Sequence, residues 1–376
     1  MEYLFWLSLF GAAYSYTVYP LILLLLPKRS TVPATKCSPY PSLSIIITAH
    51  NEAARIEQKI QNTLAVRYPT QHREILVASD ASTDATDEIV RRYETSGVRL
   101  IRSDSRKGKE YAQLMAIGQA SGDILVFTDV GTSIPPEAVS LMVENFADRR
   151  VGSVSSEDRF LTQDGSTTGE GLYVKCEMWL RALESSVNSL VGLSGSFFAA
   201  RREVCRDWRT DVPSDFSVAL NCYRLGFVAV SDRRVVGHYQ DVRDELLEYR
   251  RKVRTATRGM AALWVHRGVL NPLKFGLFSF QVWSHKVFRW LLPWFLILLF
   301  ISSAAIAEQR VLYLGAWLAQ VCLYATALSA CLISTLRRSP LIRLPFFFVL
   351  INVAAVHATL AFLAGKRVTA WTPTER

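Results

Sequence analysis

Hydrophobic positions divide the chain into three regimes. Residues 3–26 form an uncharged apolar run, ample for the roughly 20 residues that a spanning helix needs, and the basic pair Lys28 and Arg29 follows the run. From about residue 43 to residue 258, short β-branched runs alternate with amphipathic stretches. Those at 43–48, 74–79, 98–101 and 123–128 read as strands. The patterns at 53–66, 84–93, 109–119 and 136–147 read as helices, the last opened by Ser133-Ile134-Pro135-Pro136. Such alternation predicts an α/β fold of βαβ units around a mostly parallel sheet. Apolar runs return at 290–307, 311–333 and 344–364. Before them, Phe275, Leu277, Phe278, Phe280, Val282 and Trp283 mix with Lys274, Gln281 and His285, a short pattern that suits a helix lying in the membrane interface. The expected division is a spanning helix at 1–27, an α/β domain at 40–262, an interface segment at 263–289 and spanning helices at 290–364.

Charge refines this picture. By the positive-inside rule Lys28 and Arg29 put the N-terminus outside and the α/β domain in the cytoplasm, and Arg337, Arg338 and Arg343 fit a cytoplasmic loop. Counting spans then leaves Lys366, Arg367 and Arg376 outside, against the rule. The net charge of +10 is accompanied by no basic-aromatic stripe, so anionic lipid headgroups and a phosphorylated ligand are expected as partners, and no nucleic acid. The six cysteines contain no CxxC pair, which points away from a zinc site or a disulfide framework.

In sheets of this kind ligands bind beyond the carboxyl ends of the strands. Three ends carry polar clusters: Thr48-Ala49-His50-Asn51-Glu52, Ser79-Asp80-Ala81-Ser82-Thr83-Asp84 and Thr128-Asp129-Val130-Gly131-Thr132. The second is equally readable as a helix cap. Together with Asn51 and Glu52 it borders one crevice, where acceptors can read the imide and ribose hydroxyls of a uridine-type nucleotide. Arg106-Lys107-Gly108-Lys109 lies at a helix start, an arrangement that holds a diphosphate. Asp129 emerges from the apolar strand Ile124-Leu125-Val126-Phe127 and offers oxygen to a hard divalent cation. Asp215, on the first turn of a helix that stops at Gly226, is either an N-terminal charge or a carboxylate that takes a proton from an acceptor hydroxyl. Arg251, Arg254 and Arg258 recur about one helical turn apart and suit phosphate oxygens or lipid headgroups.

Taken in order, these blocks and Ser194-Gly195-Ser196-Phe197-Phe198-Ala199-Ala200-Arg201-Arg202 resemble membrane-bound members of glycosyltransferase family 2, the group that includes bacterial cellulose, chitin and hyaluronan synthases and the nodulation chitooligosaccharide synthase. The resemblance implies a GT-A fold, a UDP-sugar donor, Mg²⁺ or Mn²⁺, and single displacement with inversion. It implies a multi-pass protein of a bacterial-type inner membrane. Carried onto this chain, Thr48, His50, Asn51, Glu52, Lys109, Arg251 and Arg254 would serve the donor, and Asp80 would bind the nucleobase. Asp129 would be the first acid of the family's DxD motif and the metal ligand, and Asp215 the general base. Ser194, Gly195 and Ser196 would line the sugar and acceptor pocket.

The chain departs from the family pattern at three places. The DxD motif reads Asp129-Val130-Gly131, the acid before Asp215 is replaced by Ser214, and the QxxRW motif of processive synthases appears as Arg251-Lys252-Val253-Arg254-Thr255. The expectation is a non-processive transfer to a lipid-linked or glycan acceptor in envelope or exopolysaccharide synthesis. A processive synthase and a nucleotide-sugar binder without catalysis are the alternatives. A dinucleotide-dependent oxidoreductase fits less well, since no GxGxxG follows the first strand.

Overall fold

Strand β1 (Leu43–Ala49) is buried at every position, as its near-continuous apolar run requires of a strand covered on both faces. The computed structural model describes residues 1–30, 40–161, 169–240 and 245–366; Cys37, Arg367 and Arg376 lie outside them. Around β1 stand β2 (Arg73–Ser79), β3 (Val98–Arg102), β4 (Ile124–Asp129), β5 (Thr132–Ser133), β6 (Val151–Leu161), β7 (Phe197–Arg201) and β8 (Val228–Gln240). Their order in the sheet is β3-β2-β1-β4-β7-β6-β8-β5. The first four strands are mutually parallel, β7 runs against both β4 and β6, β8 runs with β6, and β5 runs against β8. Parallel strands thus prevail, as expected, but the half beyond β4 is mixed. The sequence pattern does not show β5 to β8: β6 and β8 interleave Ser, Asp, Glu and Arg with their apolar residues, and β5 is too short to have a period.

The chain passes from β1 to β2 and β3 on one side, then crosses to β4 on the other. Strand order therefore reverses at β1, which opens a crevice at the carboxyl edge. Register puts Ala49 beside Ser79 and Thr48 beside Asp129, so the polar strand ends stand level. Alternate side chains of β1 serve opposite faces. Ile45 and Ile47 pack with Ile56 and Ile60 of helix Ile56–Leu64 and with Met142 of helix Ala138–Glu144. Ile46 and Phe127 pack with Ala112 and Ala116 of helix Lys109–Gln119 and with Val218 of helix Ser214–Arg224. The Phe127 ring stacks on Phe198 and Trp208, with centroids 4.8 and 4.9 Å away.

Among the described residues four helices are long and apolar enough to cross a membrane: Glu2–Leu25, Pro272–Ala305, Val311–Leu332 and Pro340–Leu363. The second begins earlier than the apolar run at 290–307 suggests. Within the interface segment expected at 263–289 the helix is broken by a kink at Gly276 (φ 48°, ψ −123°); beyond the kink it runs through a π-helical turn, Trp283–Val287, into Phe288–Ala305. The expected domain boundary at 262 likewise falls inside helix Glu245–Val265. That helix links the two halves of the molecule. Arg258 pairs with Glu110 of the sheet domain at 2.7 Å, and Tyr249 Oη meets His357 Nδ1 of the last span at 3.1 Å.

Phe127→Ala removes a buried ring from a three-ring stack. The expected loss is about 3–5 kcal/mol, read as a lowered thermal unfolding midpoint of the detergent-solubilised chain.

Candidate active site

The carboxyl edge of the sheet is held in a strained backbone. Among the described residues, the non-glycine positions with positive φ are Asn51 (53°) and Ala81 (50°), which follow β1 and β2. Asparagine tolerates this region and alanine does so at a cost of about 1 kcal/mol; such strain collects where a loop must face a ligand. The two ends are tied together. Asn51 accepts the Thr83 N–H at 2.8 Å, the Asn51 N–H donates to Ser82 Oγ at 3.1 Å, and His50 Nδ1 lies 2.7 Å from the Asp80 carbonyl. Thr48 is buried at the end of β1, and its hydroxyl makes no hydrogen bond.

Asp80 is fully buried, and its two carboxylate oxygens accept the backbone N–H groups of Lys107 and Gly108, each at 2.9 Å. One acceptor site on each oxygen is therefore used inside the protein, and through these two bonds Asp80 sets the path of the basic turn before helix Lys109–Gln119. Gly108 adopts φ of 100° there, a conformation that side chains disfavour.

Lys109, on the first turn of that helix, donates to Asp129 Oδ1 at 2.6 Å and to the Gly195 carbonyl at 2.8 Å. Asp129 keeps 25% of its side chain exposed, so its second oxygen is open to a ligand. The Asp129 N–H donates to the Ser196 carbonyl at 3.0 Å. The loop 192–196 is thereby fastened to the end of β4. On its other side it meets Asp215: a methyl placed on Gly195 would lie 3.1 Å from Asp215 Oδ2. Ser194 and Ser196 share this loop, with hydroxyls 3.3 Å apart. The structure thus gathers Lys109, Asp129, Ser194, Gly195, Ser196 and Asp215 around one short segment.

Glu52 is buried and paired with Arg55 at 2.6 Å. Burial raises its pKa, Arg55 opposes that shift, and the nearby charges of Asp129 and Asp84 add to it. Where a second acid of the DxD type would project, a methyl on Gly131 would face Arg55 Nη1 at 3.9 Å. Among the described residues no group of three or more His, Cys, Asp and Glu side chains could enclose a metal. One carboxylate, Asp129, fits a hard cation that takes its remaining oxygens from substrate phosphates and water.

The two expected donor-binding arginines lie one turn apart on helix Glu245–Val265 and differ in their partners. Arg251 pairs with Glu248 of its own helix at 2.6 Å. Arg254 lies nearer the sheet domain; burial, then Arg258 and Arg251, disfavour its charge, and Glu110 supports it. Arg254 thus faces the first turn of the Lys109 helix, whereas Arg251 is engaged along its own.

Lys59 is the residue that sequence reasoning misses. It lies on the buried face of helix Ile56–Leu64, between Ile56 and Ile60, and donates to Thr128 Oγ1 at 2.8 Å and the Thr132 carbonyl at 2.6 Å. Burial pushes its pKa down to about 7, against the pull of Asp129. A lysine on the apolar stripe of an amphipathic helix was the available signal. It buttresses both ends of the turn that carries Asp129.

Residues 44–208 match the family model described as Glycosyl transferase family 2. That match includes Asp80, Lys109, Asp129 and Ser194–Ser196 and stops short of Asp215, Arg251 and Arg254. A poly-β-1,6-N-acetyl-D-glucosamine synthase of Staphylococcus aureus is 26% identical over 196 residues, 49% of this chain and 46% of that protein. Glycosyltransferase AglE of Haloferax volcanii is 30% identical over 135 residues, 35% of this chain and 44% of its own. The chain spans about half the length of these curated relatives. The mannosyltransferase PcManGT of Pyrobaculum calidifontis, solved with GDP-Man and Mn²⁺, superposes with a TM-score of 0.74 at 22% identity, covering 97% of this chain and 99% of that one. At that identity the likeness is one of fold.

The depressed pKa of Lys59 gives a pH signature. Between about 7, where the folded side chain titrates, and about 10.4, the unfolded chain binds a proton that the folded chain lacks. The destabilisation due to Lys59 is therefore fully present below the folded value and fades as pH rises through that window. The thermal midpoint of the wild type relative to Lys59→Met should rise from pH 7 to pH 10.

Proposed function

We propose, because residues 44–208 form a glycosyltransferase family 2 domain of the GT-A fold, that the chain is an inverting transferase that moves a sugar from a UDP-sugar to a lipid-linked or glycan acceptor at the membrane. The observation that carries this reading is the contact of Gly195 with both Lys109 and Asp215, which brings a diphosphate-binding cation and a carboxylate base to opposite sides of one loop.

Lys109 and the N–H groups at the start of its helix suit the donor diphosphate, and Arg254 adds positive charge from the helix Glu245–Val265. Asn51, Glu52 and the strained turns beside them border the place for the nucleoside. Asp215, partly exposed on a helix N-terminus, is placed to accept the proton of the acceptor hydroxyl. As that proton leaves, the hydroxyl oxygen bonds to the anomeric carbon from the face opposite the diphosphate. The bond from that carbon to the phosphate oxygen breaks, and the nucleotide diphosphate departs with the electron pair. Attack from the opposite face inverts the centre. Asp129 is the residue to hold Mg²⁺ or Mn²⁺ together with the diphosphate, and a bound cation would stabilise the charge of the leaving group.

The missing tryptophan at the QxxRW position removes a platform on which a growing chain would stack, which supports single addition. The four apolar helices and the arginines at 337, 338 and 343 support a multi-pass protein of a bacterial-type inner membrane with its sheet domain in the cytoplasm. The interface role expected for residues 263–289 passes to helix Glu245–Val265 and the first turns of Pro272–Ala305.

UDP release from a panel of UDP-sugars, by membranes carrying the protein, tests the reading. Asp215→Asn should lower turnover by about 10²–10⁴-fold, and Asp129→Ala should remove its dependence on added Mn²⁺. UDP binding without turnover in the wild type would instead identify a binder, and products longer than one added sugar a processive synthase.

A subtler substitution separates orientation from binding. Gly195→Ala puts a methyl against Asp215 Oδ2 and should reduce kcat by about 10–100-fold while leaving the donor KM within a few-fold of wild type. An unchanged kcat would show that the seat of Asp215 against this loop does not set the rate.

A further inference from the structure

A second charged cluster lies at the membrane side of the same loop and has no part in donor binding. Glu177 takes Arg289 at 2.5 Å and His285 Nε2 at 3.0 Å. Glu184 takes His285 Nδ1 at 2.7 Å and the Tyr19 hydroxyl at 2.7 Å. Arg181 is buried and gives its guanidinium to neutral partners, Ser155 Oγ at 2.8 Å and the Gly192 carbonyl at 2.9 Å. Lys286 completes the group. Its Nζ lies 5.5 Å from the ring of Phe216, the charges of Glu177 and Glu184 act on it from within the cluster, and among the described residues it makes no hydrogen bond. Three basic side chains, one of them the partner of Glu177, thus share two carboxylates, and although Glu184 Oε2 is buried without a hydrogen bond the formal charge of the group, His285 aside, stays positive by one; a cation withdrawn from water without a full counter-charge is unfavourable.

The place of Lys286 gives the excess charge a direction. Phe216 follows Asp215, and Gly192 stands three residues before Gly195 in the loop that touches Asp215. A methyl on Gly192 would lie 3.7 Å from Lys286 Nζ, so the missing side chain leaves room beside the ammonium. Lys286 belongs to the π-helical turn of the span Pro272–Ala305, a feature that recurs at functional sites. The first span has its own π turn, Tyr14–Val18, and the two meet: Tyr14 Oη lies 2.9 Å from Ser284 Oγ, and Ser15 Oγ donates to the Ser284 carbonyl at 2.9 Å. From Lys286 to Ala305 the helix rises about 28 Å at 1.5 Å per residue, close to the roughly 30 Å of a hydrocarbon core. The ammonium therefore stands at the level of lipid headgroups.

We propose that this cluster is a subsite for a phosphate of the acceptor, with Lys286 as its contact and Arg181 and Arg289 supplying the surrounding positive field. The acceptor is then a phosphate-linked lipid whose anionic group rests at Lys286 and whose hydroxyl reaches Asp215. This rests on the transferase reading and narrows its acceptor to an anionic class. Lys286 binds and positions; it takes no proton in the transfer.

The test is binding without turnover. The full chain in neutral-lipid nanodiscs is titrated with farnesyl phosphate, with farnesol and with inorganic phosphate. Wild type should bind farnesyl phosphate about tenfold or more tightly than farnesol, the scale of a charge-assisted contact. Lys286→Met should abolish that preference and Lys286→Arg should retain it. Equal affinity for the phosphate and the alcohol in wild type overturns the proposal even if the methionine variant fails to fold. So does a preference that survives in Lys286→Met. Competition by inorganic phosphate as strong as by farnesyl phosphate overturns a lipid acceptor. Failure of the transferase reading would be seen elsewhere, as absence of Asp215-dependent UDP release.

Discussion

The interaction on which the rest depends is the ammonium of Lys109 held between the Asp129 carboxylate and the Gly195 carbonyl. It joins three parts of the chain that are far apart in sequence: the helix after β3, the end of β4 and the loop before β7. Its setting is nearly buried, where a charge without a partner would be costly, so each of the three holds the others in place. Asp80 reinforces this from below by fixing the turn that delivers Lys109, and Lys59 does so from the side by binding both ends of the turn after β4. A polar strand edge becomes a site with defined geometry because these internal bonds use up the conformational freedom of its loops.

The same constraint reaches the membrane. The loop 192–196 continues from Lys109 and Asp129 to Asp215 and then to Lys286, which stands on a helix long enough to cross a bilayer. Helix Glu245–Val265 makes a parallel connection through Arg258 and Glu110 on one side and His357 on the other. The carboxyl edge of the sheet and the apolar helices are therefore linked by short paths. Under the proposed function these paths would align donor and acceptor, the kind of positioning from which much of a transfer rate arises.

Much of the parallel half of the fold was legible in the sequence. The four β-branched runs at 43–48, 74–79, 98–101 and 123–128 mark β1 to β4, and the helix pattern at 109–119 coincides with Lys109–Gln119, because burial on both faces leaves an unbroken apolar signal. The mixed half was not, since β6 and β8 carry polar residues, β5 has two residues, the apolar β7 is only five residues long, and the pairing is set by tertiary contact. The same holds within the site. Asp129 and Asp215 stand out as acids at element ends. The engagement of Asp80 with backbone N–H groups, the pairing of Arg251 with Glu248 and the burial of Lys59 depend on neighbours distant in sequence. The run of helix from the Gly276 kink to Ala305 escaped because Gln281 and His285 give its first part a polar face, which the structure uses for the buried network with Asn188, Glu177 and Glu184.

In the proposed function one loop couples the turn at 107–109, assigned to the donor, to Asp215, assigned as the base. The most direct measurement is amide hydrogen exchange of the full chain with and without UDP and Mn²⁺. Slowed exchange that appears together at residues 107–109 and 194–196 is the predicted result. Slowing confined to 107–109, with 194–196 unchanged, would contradict it.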